Sequence, residues 1–208
     1  MADTLNKASK ARKARKVRRS AAETREHVLN VAHELFYWTG IRATGVDRIA
    51  ADAGIAPTAL YRLFPSKDEL VAAYVERTEE RYRQWFEAAT RADGRSPAER
   101  ILALFDALAE QVQPERCRGC PFLLALTEYP DTSVEAHKSA VRLKKWVRAR
   151  IRRLVEELDA ARPRKGIDAA ALADHLTLLF EGVYATVQAL GADGPARRAR
   201  ALASSLVF

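Results

Sequence analysis

Two cysteines in 208 residues leave no disulfide framework and suit a reducing cytoplasm. Cys117 and Cys120 have the spacing of half a zinc site. No second Cys or His pair stands at zinc spacing, so no structural metal is expected. No apolar run is long enough to cross a bilayer. The N-terminal stretch is basic but is followed by no hydrophobic segment, which argues against a secretory signal. Catalytic signatures are missing as well: there is no GxSxG, no P-loop, no HExxH and no paired-carboxylate pattern. His27, His33, His137 and His175 are scattered, and a satisfied or solvated histidine is commoner than a ligand. Neither an enzyme nor a cofactor is expected.

What the chain does have is helix formers and positive charge. Ala, Leu, Arg and Glu dominate, and 48% of the residues are hydrophobic, as in a globular protein. The length allows a small module plus a larger helical domain. The net charge is +8, and it is unevenly placed. Residues 1–20 carry eight bases (Lys7, Lys10, Arg12, Lys13, Arg15, Lys16, Arg18, Arg19) against one acid, Asp3, while the remainder sums to only +1. Such an arm would neutralise phosphates on a duplex and release counterions. The plainer reading is a solvated tail that aids solubility.

The most informative stretch is Thr44 to Leu70. Val46, Ile49, Ala50 and Ala53 share one helical face, with Asp47, Arg48 and Asp52 on the other. Gly54 suits a left-handed cap. Pro57 suits the first turn of a second helix through Phe64. Pro65 stops that helix, and Ser66 with Glu69 reads as a capping box for the next. Two helices joined by a short glycine turn form a helix-turn-helix, whose second helix enters the major groove.

The segment RIAADAGIAPTALYRLFPSKDEL resembles the DNA-binding signature of the TetR/AcrR family of bacterial transcriptional repressors. Ile49, Ala50, Ala53, Gly54, Leu60, Tyr61, Phe64, Ser66, Lys67 and Leu70 fall on matching positions. Ala56, Thr58, Ala59 and Leu63 depart from it. The resemblance implies an all-α protein with an N-terminal three-helix DNA-binding domain and a C-terminal ligand-binding and dimerisation domain, about nine helices in all. The expected division is a basic arm at 1–20, the helix-turn-helix domain at 21–66 and the effector and dimerisation domain at 67–208.

Helical periodicity carries the rest of the chain. A first helix runs from Ala21 to Thr39 and ends at Gly40. Tyr37 and Trp38 near its end read as core or junction residues rather than base readers. A fourth helix runs from Ser66 to about Arg91 and a fifth from Ser96-Pro97 to about Val112. Pro121 to Pro130 holds a short sixth helix whose Gly-Cys start and later Glu resemble the family's sixth helix. Ser133 is expected to cap a seventh helix to about Ala160, whose basic face (Lys138, Arg142, Lys145, Arg148, Arg152) reads as solvated. Asp168 caps an eighth to about Leu190, and Gly194-Pro195 opens a ninth. The eighth is apolar nearly all round, so it must be covered on more than one side. A partner subunit is the simplest second cover.

The expected DNA contacts are Thr44, Arg48, Pro57, Thr58, Ala59, Tyr61, Arg62 and Lys67. Pro57, Thr58 and Ala59 offer methyl and hydroxyl groups to base edges, and Arg62 suits guanine or phosphate. Tyr61 and Lys67 resemble the family's phosphate-contacting Tyr and Lys; Thr44 and Arg48 also stand near the backbone. Phe105, Cys120, Leu124, Glu128, Trp146, His175 and Tyr184 are candidate effector contacts. Leu172, Leu176, Leu179, Phe180, Val183, Val187, Leu202 and Leu206 are the candidate homodimer interface. The expected function is a cytoplasmic repressor that binds a palindromic operator as a homodimer and is released by a small molecule. Two alternatives stand beside it: a thiol redox sensor using Cys117 and Cys120, and a non-specific DNA-coating protein. Cys120 precedes a helix start beside Arg116 and Arg118, which favours a thiolate. The apolar Pro-Phe-Leu-Leu that follows argues for a buried, inert thiol.

Overall fold

The computed structural model describes residues 19–162 and 168–208. Most of the basic arm therefore lies outside the described residues. Those described form nine α-helices and no strand: α1 (Ala21–Thr39), α2 (Val46–Asp52), α3 (Pro57–Leu63), α4 (Lys67–Ala89), α5 (Pro97–Gln111), α6 (Pro121–Glu128), α7 (Glu135–Ala161), α8 (Ala169–Leu190) and α9 (Ala199–Val207).

Side-chain caps explain four of the nine helix starts. Ser20 and Ser96 each close a full capping box, with Glu23 and Glu99, so two orphan donors are satisfied at each helix start. Ser66 Oγ accepts the Glu69 N–H at 3.1 Å, but only this half of the expected box forms. Asp168 accepts from the Ala170 N–H at 2.8 Å and starts α8 as expected. Gly54 has φ of +65°, the left-handed turn between α2 and α3 that a Cβ disfavours. Two starts differ from what the sequence predicts. The N-cap of α7 is Val134, with no side-chain cap, because the Ser133 N–H is drawn into a turn by Asp131 Oδ1 at 2.8 Å. Pro195 opens a 3-10 turn through Arg198, and α9 begins only at Ala199.

The N-terminal core is small and apolar. Val28, Leu29, Ala32 and Phe36 of α1 meet Ile49, Ala50, Leu60 and Phe64, and all are nearly or fully buried. α4 joins this core at its start through Leu70, Val71 and Tyr74 and enters a second core at its end through Tyr82 and Phe86. The second core is aromatic at its centre. Phe180 of α8 lies within 6.4 Å, ring to ring, of Trp85, Phe86, Phe105 and Tyr184. α7 packs on α4, α5, α6 and α8, and α9 packs on α5 and α8. The basic face of α7 is largely taken up in surface ion pairs, Arg142 with Glu135, Arg148 with Asp174 and Arg152 with Glu156. Exposed pairs of this kind add little stability.

The expected dimer stripe needs correction here. Leu172, Leu176, Phe180, Val183 and Val187 are buried within the protomer itself. They are core, because α7 and α9 already pack against α8. Leu179 and Leu206 are half-buried, and Leu202 is 50% exposed. The outward apolar side chains at this end are Leu178, 70% exposed, with Leu190, Leu202 and Phe208.

Candidate nucleic-acid interface

α3 is held by two residues and displays the others. Leu60 and Phe64 are 1% and 2% exposed, and the Arg25 guanidinium lies 4.9 Å from the Phe64 ring centre. Pro57, Thr58, Tyr61 and Arg62 are exposed, and Ala59 is half-buried. Tyr61 keeps 46% of its surface. Arg62 makes only a long 3.4 Å contact from Nε to Thr58 O, so its guanidinium is available to an acceptor. Arg48 on α2 is exposed, with Asp52 3.9 Å away; at that distance the pair is weak.

Thr44 is corrected. Its side chain is wholly buried, and its hydroxyl donates to Gly40 O at 2.7 Å. It closes the turn after α1 rather than offering its hydroxyl to a phosphate. Lys67 is half-buried, and its Nζ donates to Arg42 O at 3.2 Å. The lysine thus lies against the loop that precedes α2.

That loop is also gripped from the other domain. Glu128, the last residue of α6, accepts the N–H of Ile41 at 3.0 Å and of Arg42 at 2.7 Å. Gly40 stands beside it with φ of +107°, and a Cβ there would stand 3.4 Å from Glu128 Oε1, at ordinary contact distance. The segment before α6 makes a second tie. The Tyr37 hydroxyl accepts from the Arg118 N–H at 2.7 Å and donates to Gly119 O at 2.9 Å. Arg118 Nη1 donates to Tyr37 O at 2.6 Å. Tyr37 is therefore a junction residue, and burial raises its pKa. Glu128→Ala is expected to cost about 1–3 kcal/mol, since two backbone donors would be left without their charged acceptor. Amide hydrogen exchange at Ile41 and Arg42 should accelerate; unchanged protection would show that the clamp is not held in solution.

The other effector candidates are spread over the C-terminal helices, where Cys120 and Tyr184 share the Lys144 ammonium and Phe105 and Tyr184 share Phe180. Phe105 sits in the aromatic core. Cys120 is 2% exposed, with Lys144 Nζ 3.1 Å from its sulfur and held by Glu181. Leu124 is half-buried on α6. Trp146 packs edge-on to Phe86, with Arg83 and Arg150 over its faces. The Tyr184 hydroxyl joins the Tyr82 hydroxyl and the Gln111 side chain, and burial raises the pKa of both tyrosines. His175 is corrected: it is exposed on α8 and faces away from the core. Glu128 is corrected from a pocket residue to the clamp just described. Among the described residues no cluster of His, Cys, Asp or Glu could hold a metal ion.

Residues 28–74 match "Bacterial regulatory proteins, tetR family", and residues 97–203 match "Tetracyclin repressor-like, C-terminal domain". The chain belongs to the TetR family of transcriptional regulators. Its relatives are regulators, not enzymes. The HTH-type transcriptional regulator YjdC of Escherichia coli is 26% identical over 76% of this chain and 80% of its own length. A TetR-family regulator from Streptomyces coelicolor superimposes with a TM-score of 0.75 at 27% identity, covering 89% of this chain and 93% of that one. A TetR-type regulator from Streptomyces avermitilis gives 0.72 at 31% identity, covering 88% and 96%. As a TetR-family member the chain is a DNA-binding transcriptional regulator, and α2 and α3 lie within the matched N-terminal segment.

Proposed function

We propose that this regulator is a cytoplasmic homodimeric repressor that binds a palindromic operator and leaves it when a small molecule occupies the C-terminal domain. The observation that carries this reading is the face of α3. Thr58, Tyr61 and Arg62 stand out from a helix anchored by Leu60 and Phe64, as a groove-reading helix requires. In this reading 21–66 is the DNA-binding domain and 67–208 the effector and dimerisation domain, with α4 serving both. Arg62 reads guanine or phosphate, Tyr61, Arg48 and Lys67 hold phosphates, and Pro57, Thr58 and Ala59 face base edges. Burial of both cysteines supports ligand control over thiol control, because an oxidant must reach the sulfur.

Arg62→Ala is expected to weaken binding to a selected operator by about 1–3 kcal/mol and to relax selectivity at one base pair. Lys67→Ala should weaken all duplexes alike and flatten the salt dependence. Fluorescence anisotropy against operator and unrelated DNA measures both, and equal affinity for the two duplexes would favour the DNA-coating alternative. If neither variant alters affinity, this docking of α3 is wrong. Residues 1–20 are assigned to the phosphate backbone. Deleting 1–19 should leave the fold intact and reduce the slope of log K against log salt by about 0.9 for each phosphate that the arm neutralises. An unchanged slope returns the arm to the solubility reading.

A further inference from the structure

None of the side chains expected to hold an effector lines the cleft that a different set of residues forms. A cleft of about 430 Å³ opens where α1, α4, α5 and the start of α6 meet. One wall is aromatic. Tyr82 and Trp85, one turn apart on α4, have ring centres 5.2 Å apart, and Phe86 and Phe180 back the indole. The polar groups facing the cleft are short of partners. Gln111 Oε1 accepts from the Tyr184 hydroxyl at 3.2 Å, while its Nε2 has no partner among the described residues. His33 lies parallel to Tyr37 with ring centres 6.1 Å apart. Burial lowers its pKa, so at neutral pH it is an uncharged imidazole. Neither of its ring nitrogens is hydrogen-bonded among the described residues. Arg81 makes one long contact, from Nη2 to Asn30 Oδ1 at 3.4 Å. Glu110, exposed on α5 and also lining the cleft, offsets the charge of Arg81, so net charge does not select the occupant.

We propose that this cleft is the effector site and that its occupant is a flat aromatic molecule bearing an acceptor oxygen, carbonyl or carboxylate, on its edge. The half-buried Trp85 indole, with Tyr82 buried behind it, takes the ring by aromatic contact. Gln111 Nε2, Arg81 and His33 supply the donors that such an oxygen needs. The volume lies within the range of small-molecule pockets and suits about two fused rings. This assignment rests on the ligand-released repressor reading above. It also gives the cleft a route to DNA. Pro121 lines it and is the first residue of α6; Glu128, which clamps Ile41 and Arg42, is the last. A molecule seated against Pro121 acts on the helix that holds the loop before α2. It favours release to the extent that it binds better with α6 displaced.

The test uses 2-naphthoate as probe, calorimetry for binding and anisotropy for release of a selected operator. Saturable binding of one molecule per protomer is expected, with loss of operator at saturation. The ring-saturated analogue should bind about tenfold more weakly. Trp85→Ala and Gln111→Leu should each weaken the probe by a similar factor. Trp85 also packs in the core, so the exposed Gln111→Leu is the variant that keeps the fold. Ala107→Trp, which fills the cleft, should abolish binding. No saturable binding up to millimolar probe, or binding untouched by all three substitutions, overturns the site. Binding that obeys the substitutions without releasing DNA overturns its role as the effector site. Failure to select any operator counts against the repressor reading instead, and calorimetry still decides whether the cleft binds.

Discussion

Phe180→Ala is expected to destabilise the protein by about 3–5 kcal/mol, the cost of emptying a packed aromatic site. The ring is fully buried and stands among Trp85, Phe86, Phe105 and Tyr184. These rings come from α4, α5 and α8 itself, so the hole cannot close by moving one helix. Against a total stability of about 5–15 kcal/mol, this is a large fraction. The thermal midpoint should fall by about 6–20 °C for a chain of this size. Phe180→Leu keeps most of the volume and should cost less than about 1.5 kcal/mol. Denaturant titration of the two variants measures the difference. A loss below about 1 kcal/mol for Phe180→Ala would mean that the aromatic centre is not packed as described.

Leu178→Glu is expected to break the proposed homodimer and, with it, operator binding. Leu178 is 70% exposed on the side of α8 turned away from the core. Ala185 lies two turns along the same side, and Leu202 and Phe208 near the C-terminus are also exposed. A partner covering this face would bury the new carboxylate without a counter-charge, at about 3–5 kcal/mol. That corresponds to a rise of roughly a hundredfold or more in the dissociation constant. Two half-sites on one duplex need two linked recognition helices, so affinity should fall although α3 is untouched. Sedimentation velocity gives the assembly state and anisotropy the affinity. A folded dimer with wild-type affinity would place the interface elsewhere.

The contrast between these two residues shows what periodicity can and cannot reveal. α8 is apolar nearly all round, and its strongest stripe, Leu172 to Val187, reads from sequence as the outward one. Period alone identifies a stripe but not which of two covers it meets. The answer depends on α7 and α9, which pack on α8 from elsewhere in the chain. The DNA-binding helices are far more legible, because Gly54, Pro57, Pro65 and Ser66 are local signals with local causes. Thr44 misleads for a related reason: its burial follows from the turn at Gly40 closing back on α1, not from its neighbours in α2. Glu128 is conspicuous as an acid ending an apolar helix, but its partners are not. Ile41 and Arg42, whose N–H groups it accepts, lie more than eighty residues away, and a single sequence carries no mark of that pairing. The cleft escapes a sequence reading because His33, Trp85 and Gln111 come from three helices, each contributing one ordinary position.

The tie between Gly40 and Glu128 bears on how this chain can diverge. An alanine at position 40 would make only ordinary contact with the carboxylate, but it would sit in a backbone conformation that L-residues avoid. Shortening Glu128 would leave that backbone strain in place. The acid can therefore be lost while the glycine stays, at the cost of the two N–H contacts, but losing the acid does not free the glycine. Position 40 is fixed by its own backbone, and position 128 only by what it holds.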